Sequence, residues 1–259
     1  MLPTKLLDID ELINEPYVKV LCYPELKLNI VPKRINELKT LKVKGILFQG
    51  KTKIGKLGVA GKGCVSIVVK ALTESGLMAL KIRRMDANRE SMAREAEMHL
   101  IANSVGVGPE LFGVTENFIL MEFVDGYYIL DWLKIIGKHI KKSRSVLRNL
   151  LNQCYALDKI GLDHGELSNL KKHVIVSKRP VIIDFESSSM KRKVTNVTKV
   201  TQYLFIGGPM AKNLRCILGI KDEKSILNSI KNYKQKKNDE AYSKLLSSFM
   251  LVRKDTFIS

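Results

Sequence analysis

With 259 residues, 45% of them hydrophobic and 27% charged, the chain is long enough to bury a core and too apolar to be disordered as a whole. No stretch approaches the roughly 20 uninterrupted apolar residues of a membrane span. The start MLPTKLLDIDELINEP lacks the basic-then-apolar pattern of a signal peptide, so a cytoplasmic protein away from the membrane is expected. The formal net charge of +18 creates a field that attracts polyanions.

A lysine-rich thermophile surface would explain many cations, but such surfaces balance Lys with Glu, and here 44 Lys and Arg stand against 26 Asp and Glu. From Ser187 onward the count is fifteen against five, so a polyanionic partner is expected against the C-terminal half. Cys22, Cys64, Cys154 and Cys216 stand singly with no C-x-x-C, which excludes a disulfide framework and a zinc ribbon. They read as buried small hydrophobes.

In chain order, residues 1–50 predict a helical extension with a short β element. DIDELI opens on a cap-like acid, and VPKRINELKTL carries Ile35, Leu38 and Leu41 at three-residue spacing after a proline start. A small winged or helix-turn-helix unit and a packing extension of the following segment both fit. Residues 51–125 turn β-rich: CVSIVVKA, a turn at LTESG, LMALKI, a helix over MDANRESMAREAEMHLIANS, and two strands around the turn Thr115–Asn117 in FGVTENFILMEF. Residues 126–259 are mostly helical, with one β patch at HVIV and VIID. The fold class expected is α+β.

Four places carry chemistry. Gly61-Lys62-Gly63-Cys64-Val65-Ser66 sits at a strand-turn-strand boundary, where glycines let a backbone approach phosphates. An ordinary tight hairpin fits equally well. No G-K-[ST] closes the loop and no helix follows it, which excludes a Walker A loop and a Rossmann turn. Lys81 lies inside an apolar strand, where an ammonium needs an anion, and Glu95 on the following helix is a candidate partner. Its alternative is a lysine at a strand edge facing solvent. His164-Gly165-Glu166-Leu167 and the strand end Val181–Asp184 follow, Asp184 being either a metal ligand or an ordinary strand-end acid. The elements stand in the order and spacing of a kinase site.

These residues resemble the atypical kinase lineage that includes the RIO kinases. HGELSNLKKHVIV, IIDFESSS and TNVTKVTQYLF are similar to an archaeal group first described as predicted Ser/Thr protein kinases, over roughly residues 55–210. Members of that group act as archaeal RNA kinases, phosphorylating an internal ribose 2′-hydroxyl of a variable-loop uridine in tRNA. The resemblance implies a two-lobed protein-kinase-like fold, with lobes at 51–125 and 126–259, and ATP and Mg²⁺ as cofactors. It implies that Gly61, Gly63 and Ser66 cover the ATP phosphates and that Lys81, held by Glu95, neutralises them. It places Glu122 and Val124 in an adenine-binding hinge, Glu166 on the attacking hydroxyl, and Asp184 on the metal. Where kinases keep a metal-binding Asn this chain has Lys171, with Asn169 two positions early as the metal candidate.

Asp-Phe-Gly is here Asp-Phe-Glu and no Ala-Pro-Glu follows, so the peptide-binding segment of a protein kinase is missing. Basic residues stand in its place. Lys171, Lys172, Lys191, Arg192, Lys193, Lys199, Lys231, Lys234, Lys236 and Lys237 are the expected RNA-backbone contacts. A tRNA partner, no membrane and a monomer are expected. The alternatives are a RIO-like Ser/Thr protein kinase with the same site and an RNA-binding pseudokinase.

Overall fold

A computed structural model describes residues 6–136, 139–220 and 222–249. The fold is α+β and divides into two compact units. Residues up to Leu100 together with Pro109–Val124 form the first, and Ile101–Gly108 with the chain from Asp125 form the second. Among the described residues no helix is long and apolar enough to cross a membrane.

The first unit opens with β1 (Leu6–Asp8) and a 3-10 turn, Ile9–Ile13, closed by a capping box in which Asp8 accepts from Asp10 N–H and Glu11 reaches back to Asp8 N–H. Then come α1 (Val18–Leu21), α2 (Val31–Thr40), β2 (Gly45–Leu47) and the hairpin of β3 (Thr52–Ile54) and β4 (Leu57–Val59). β5 (Gly61–Lys62), β6 (Ser66–Thr73) and β7 (Gly76–Arg83) precede α3 (Ala93–Asn103), and β8 (Leu111–Val114) and β9 (Phe118–Glu122) close the unit. The main sheet runs β1-β2-β6-β7-β9-β8 with β5 paired to β6, and every pairing is antiparallel.

Period-two alternation assigns the sheet's faces. On β7, Met78, Leu80 and Ile82 enter the core with Ile67, Val69 and Ala71 of β6 and Phe118 and Leu120 of β9. That core is completed by Leu7, Leu12, Val18, Leu21, Val31, Ile35 and Leu38. The structure therefore draws no boundary at residue 50. The N-terminal segment is a packing extension: its strands join the sheet through β2 and its helices bury one face, each large apolar side chain contributing about 2 kcal/mol. The other face of β7, carrying Ala79 and Lys81, lies on the side of Ile119, which packs with Met92 and Ala96 of the α3 region.

α3 starts at Ala93, later than the helical composition of 85–104 implies. The cysteines divide: Cys22 and Cys154 are buried as expected, whereas Cys64 and Cys216 are exposed, because the first lies in the glycine loop and the second on an outer position of a short helix.

The second unit contains β10 (Tyr127–Tyr128), α4 (Ile129–Ile136), α5 (Ile140–Lys159), β11 (Val174–Val176), β12 (Pro180–Ile182), α6 (Asn196–Gln202), a π turn at Tyr203–Gly207, α7 (Ala211–Leu218), α8 (Glu223–Lys236) and α9 (Asp239–Ser248). β10, β11 and β12 form an antiparallel sheet. α5 buries Leu147, Leu150, Leu151, Cys154 and Leu157 at helical spacing.

Arg34 shows how the first unit tolerates a buried charge. The residue is 1% exposed, and its guanidinium donates to Leu21 O, to Arg83 O at 2.9 Å and to Asn117 Oδ1 at 3.0 Å. Burial holds its pKa below the ordinary value. Arg34→Ala should destabilise the protein by about 3 kcal/mol, since it strands these buried acceptors. Urea unfolding measures this, and a loss below about 1 kcal/mol would mean that water replaces the guanidinium.

Candidate functional site

The glycine loop is short and well tied. β5 folds back on β6 with Gly61 opposite Val68, and Gly63 N–H donates to Ser66 O at 2.8 Å. Arg84 donates to Gly63 O at 2.8 Å and is fixed by two bonds to Asp86 at 2.8 and 2.6 Å. Lys62 donates to the Tyr23 hydroxyl at 2.6 Å, while the Arg84 guanidinium sits 5.1 Å from that ring's centre. A Cβ at Gly61 would come no closer than 3.7 Å to Val68, and one at Gly63 no closer than 3.6 Å to Ser66 O. Neither glycine has a positive φ. The hairpin itself therefore does not demand glycine there, and the missing side chains leave the loop backbone open to close approach. Ser66, at the end of the loop, is 3% exposed, because it begins β6 opposite Arg83.

Lys81 is 4% exposed and its Nζ lies 2.5 Å from Glu95 Oε1 in the first turn of α3. The pair was legible in the sequence because an ammonium on an inward strand position requires a carboxylate. It stands on the sheet face opposite the main core, next to Ile119.

At the end of β9, Glu122 N–H donates to Glu110 O at 2.8 Å, and the Glu122 carboxylate accepts Glu110 N–H at 3.3 Å. The Glu122 amide is thus engaged within the sheet edge. Val124 is half-buried and ends the unit.

In the second unit the loop between α5 and β11 is held from below. Asp158 accepts from Asn196 N–H and Nδ2–H at 3.0 and 2.9 Å and from the Tyr233 hydroxyl at 2.8 Å. Asn196, fully buried, extends the chain of bonds: it donates to Leu162 O at 2.7 Å and accepts His164 N–H at 2.9 Å. Asp163 pairs with Ser189 through two backbone bonds and buries its carboxylate against Thr195, Arg192 and Lys199. Gly165 has φ +93°, and a Cβ there would lie 2.6 Å from Ser187 O, so this turn does require glycine.

His164 is fully buried. Burial, then the neighbouring His173, push its pKa down to about 4, so it is neutral at pH 7. Its Nε2 meets Ile183 O at 3.1 Å, and Nδ1 lies 3.4 Å from the Glu166 amide nitrogen.

The β11–β12 register pairs Val174 with Ile182, which brings the residues flanking the hairpin together. His173 precedes β11 and accepts Ile183 N–H on its carbonyl at 3.0 Å; Asp184 follows β12 with φ +72°. For a non-glycine residue that is a strained backbone of the kind found at functional sites. Glu166, His173 and Asp184 each offer a donor atom within 4.8 Å of the others, and His173 Nδ1 lies 3.7 Å from Glu166 Oε2. That Nδ1 is buried and has no hydrogen-bond partner. A divalent cation fits such a donor set. The sequence pointed to Glu166 and Asp184 but missed His173, although an imidazole immediately before the VIV strand was a signal.

Asn169 is exposed and its Oδ1 accepts Lys171 N–H at 3.2 Å.

The cations divide as well. Lys171, Lys172, Lys191, Lys193, Lys231, Lys234 and Lys236 are exposed or partly so. Arg192 and Lys199 turn onto buried Asp163, and Lys237 donates to Val194 O at 2.6 Å. These three also serve the fold, because a buried carboxylate and a backbone carbonyl each need a donor.

Removing one member of the Lys81–Glu95 pair should cost more than removing both. Glu95→Ala is expected to destabilise by about 3 kcal/mol, and Lys81→Met with Glu95→Leu to recover most of that loss. Equal instability of single and double variants in chemical denaturation would show that the pair is not coupled.

No protein-family model matches the chain. A search of curated proteins finds it 32% identical over 119 residues to uncharacterized protein MJ1211 of Methanocaldococcus jannaschii, a match covering 44% of this chain and 99% of that protein. At that identity, and with almost the whole of the archaeal protein covered, the chain belongs to the same family as MJ1211.

Proposed function

We propose that this protein is an ATP-dependent RNA kinase with a protein-kinase-like two-lobed fold, transferring the γ-phosphoryl group to an internal ribose 2′-hydroxyl of tRNA. The observation that carries this is the meeting of Glu166 and Asp184 with His173 in one cluster on the second unit. Phosphoryl transfer needs one carboxylate to hold a metal and another to meet the acceptor hydroxyl, and otherwise rests on positioning and electrostatics. The buried Lys81–Glu95 pair and the glycine loop of the first unit, free of side chains at Gly61 and Gly63, supply a cation and a backbone that phosphates can approach closely.

In this mechanism Glu166 accepts a hydrogen bond from the ribose hydroxyl and takes its proton as the oxygen bonds to phosphorus and the bond to the ADP oxygen breaks. The His164 backbone, fixed through Asn196 and Asp158, sets the position of Glu166. Lys81 offsets phosphate charge. Asp184, with its neighbours, would hold Mg²⁺, which when bound neutralises charge on the phosphates. The +18 charge and the Lys231, Lys234 and Lys236 side chains of α8 support an RNA acceptor over a protein one.

Incubation with γ-labelled ATP, Mg²⁺ and either total tRNA or a protein extract tests the acceptor. Label in nuclease-sensitive RNA is expected. Label only in protein would assign a RIO-like Ser/Thr kinase, and tight RNA binding without turnover a pseudokinase. Asp184→Asn should lower transfer by about 100-fold or more while RNA binding persists. Changing Lys231, Lys234 and Lys236 together to Ala should reduce the dependence of log K on log salt by about 0.9 for each phosphate that is no longer neutralised. An unchanged slope would place the RNA grip elsewhere.

A further inference from the structure

The acceptor carboxylate and the metal carboxylate account for two of the three members of the cluster; the imidazole between them has no role in the chemistry above. A buried ring nitrogen without a hydrogen bond is costly and calls for a partner. We propose that His173 is a direct donor, through Nδ1, to the divalent cation held by Asp184 and by Glu166 Oε2, which leaves Glu166 Oε1 for the acceptor hydroxyl; this makes a mixed nitrogen–oxygen site that favours Mn²⁺ over Mg²⁺.

The geometry supports a shared ion. Two donors bound at about 2.1 Å to one octahedral cation stand about 3.0 Å apart when adjacent and about 4.2 Å when opposite. His173 Nδ1 and Glu166 Oε2 are 3.7 Å apart, between those two separations. The ring is also held in place. It stands edge-to-face against His164 at 5.7 Å, and the His173 backbone is bonded to Ile183 beside the hairpin.

Its competitors are committed elsewhere. Asn169 Oδ1 accepts the Lys171 amide, Lys171 is exposed and cationic, and both ring nitrogens of His164 face backbone groups.

The ion preference follows from the donors. Carboxylates suit Mg²⁺, Ca²⁺ and Mn²⁺ and imidazole suits later transition ions, so among the carboxylate-preferring ions it is Mn²⁺, the transition metal, that gains most from a ring nitrogen. Mg²⁺ binds oxygen and keeps much of its water, so it gains less from a ring nitrogen.

The inference rests on Asp184 being a metal ligand, and the test separates that premise from the role of His173. Mn²⁺ binding to the full chain, without nucleotide, is followed by the electron paramagnetic resonance of the free ion, and Mg²⁺ binding by competition. Spin-echo modulation of the bound Mn²⁺ reports directly coordinated ¹⁴N.

Wild-type protein should show ¹⁴N modulation. His173→Ala should abolish it and weaken Mn²⁺ binding by about tenfold or more, with a smaller effect on Mg²⁺. His173→Asn, which retains a donor and covers the case where the alanine variant misfolds, should remove the modulation and narrow the Mn²⁺ over Mg²⁺ preference. If Asp184→Asn loses Mn²⁺ while His173→Ala retains it with the modulation intact, His173 is not a donor. Undiminished Mn²⁺ binding by Asp184→Asn would remove the metal reading itself, and this proposal with it.

Discussion

A charge taken out of water has to meet its counter-charge or a set of hydrogen bonds, and the architecture of both units follows from that requirement. In the first, Lys81 on the face opposite the main core draws Glu95 of α3 to it, while Arg34 on the core side ties Leu21, Arg83 and Asn117 together. In the second, Asp163 gathers Arg192, Thr195 and Lys199, and Asp158 gathers Asn196 and Tyr233. Each buried ion fixes an element that apolar packing alone would leave free to slide.

The second unit uses this to build its site. Asp158 sits on α5, Tyr233 on α8 and Asn196 at the start of α6, so three helices converge on the backbone of Leu162 and His164. His164, kept neutral by burial, reaches across to Ile183, next to Asp184. Glu166 and Asp184 are therefore brought together through a chain of hydrogen-bonded intermediaries. The cluster stays accessible, since Glu166, His173 and Asp184 are each only partly buried.

The positive charge is less uniform in purpose than a count suggests. Arg192, Lys199 and Lys237 are neutralised or bonded within the fold. The lysines of α8 at 231, 234 and 236 and those at 171, 172, 191 and 193 are exposed to solvent. The N-terminal segment is likewise a part of the first unit's core and not a separable module.

By itself the sequence determined what depends on neighbours along the chain. Alternation in SIVVKALT and GLMALKIR specified the strands, turn residues placed the hairpins, and a lysine within an apolar strand announced its carboxylate partner. It also marked Asp184, a carboxylate directly after an apolar run, while Glu166 stood out only through the resemblance to the kinase order of motifs. Tertiary structure decided what depends on register and on distant partners. The pairing of Val174 with Ile182 put His173 beside Asp184, and packing buried Ser66 and turned Asn169 toward its own loop. Burial of Asp163 claimed Arg192 and Lys199. Composition records that a charge exists; only the folded chain determines which opposite charge it meets, because Coulomb attraction depends on distance in space and on the water excluded between the groups.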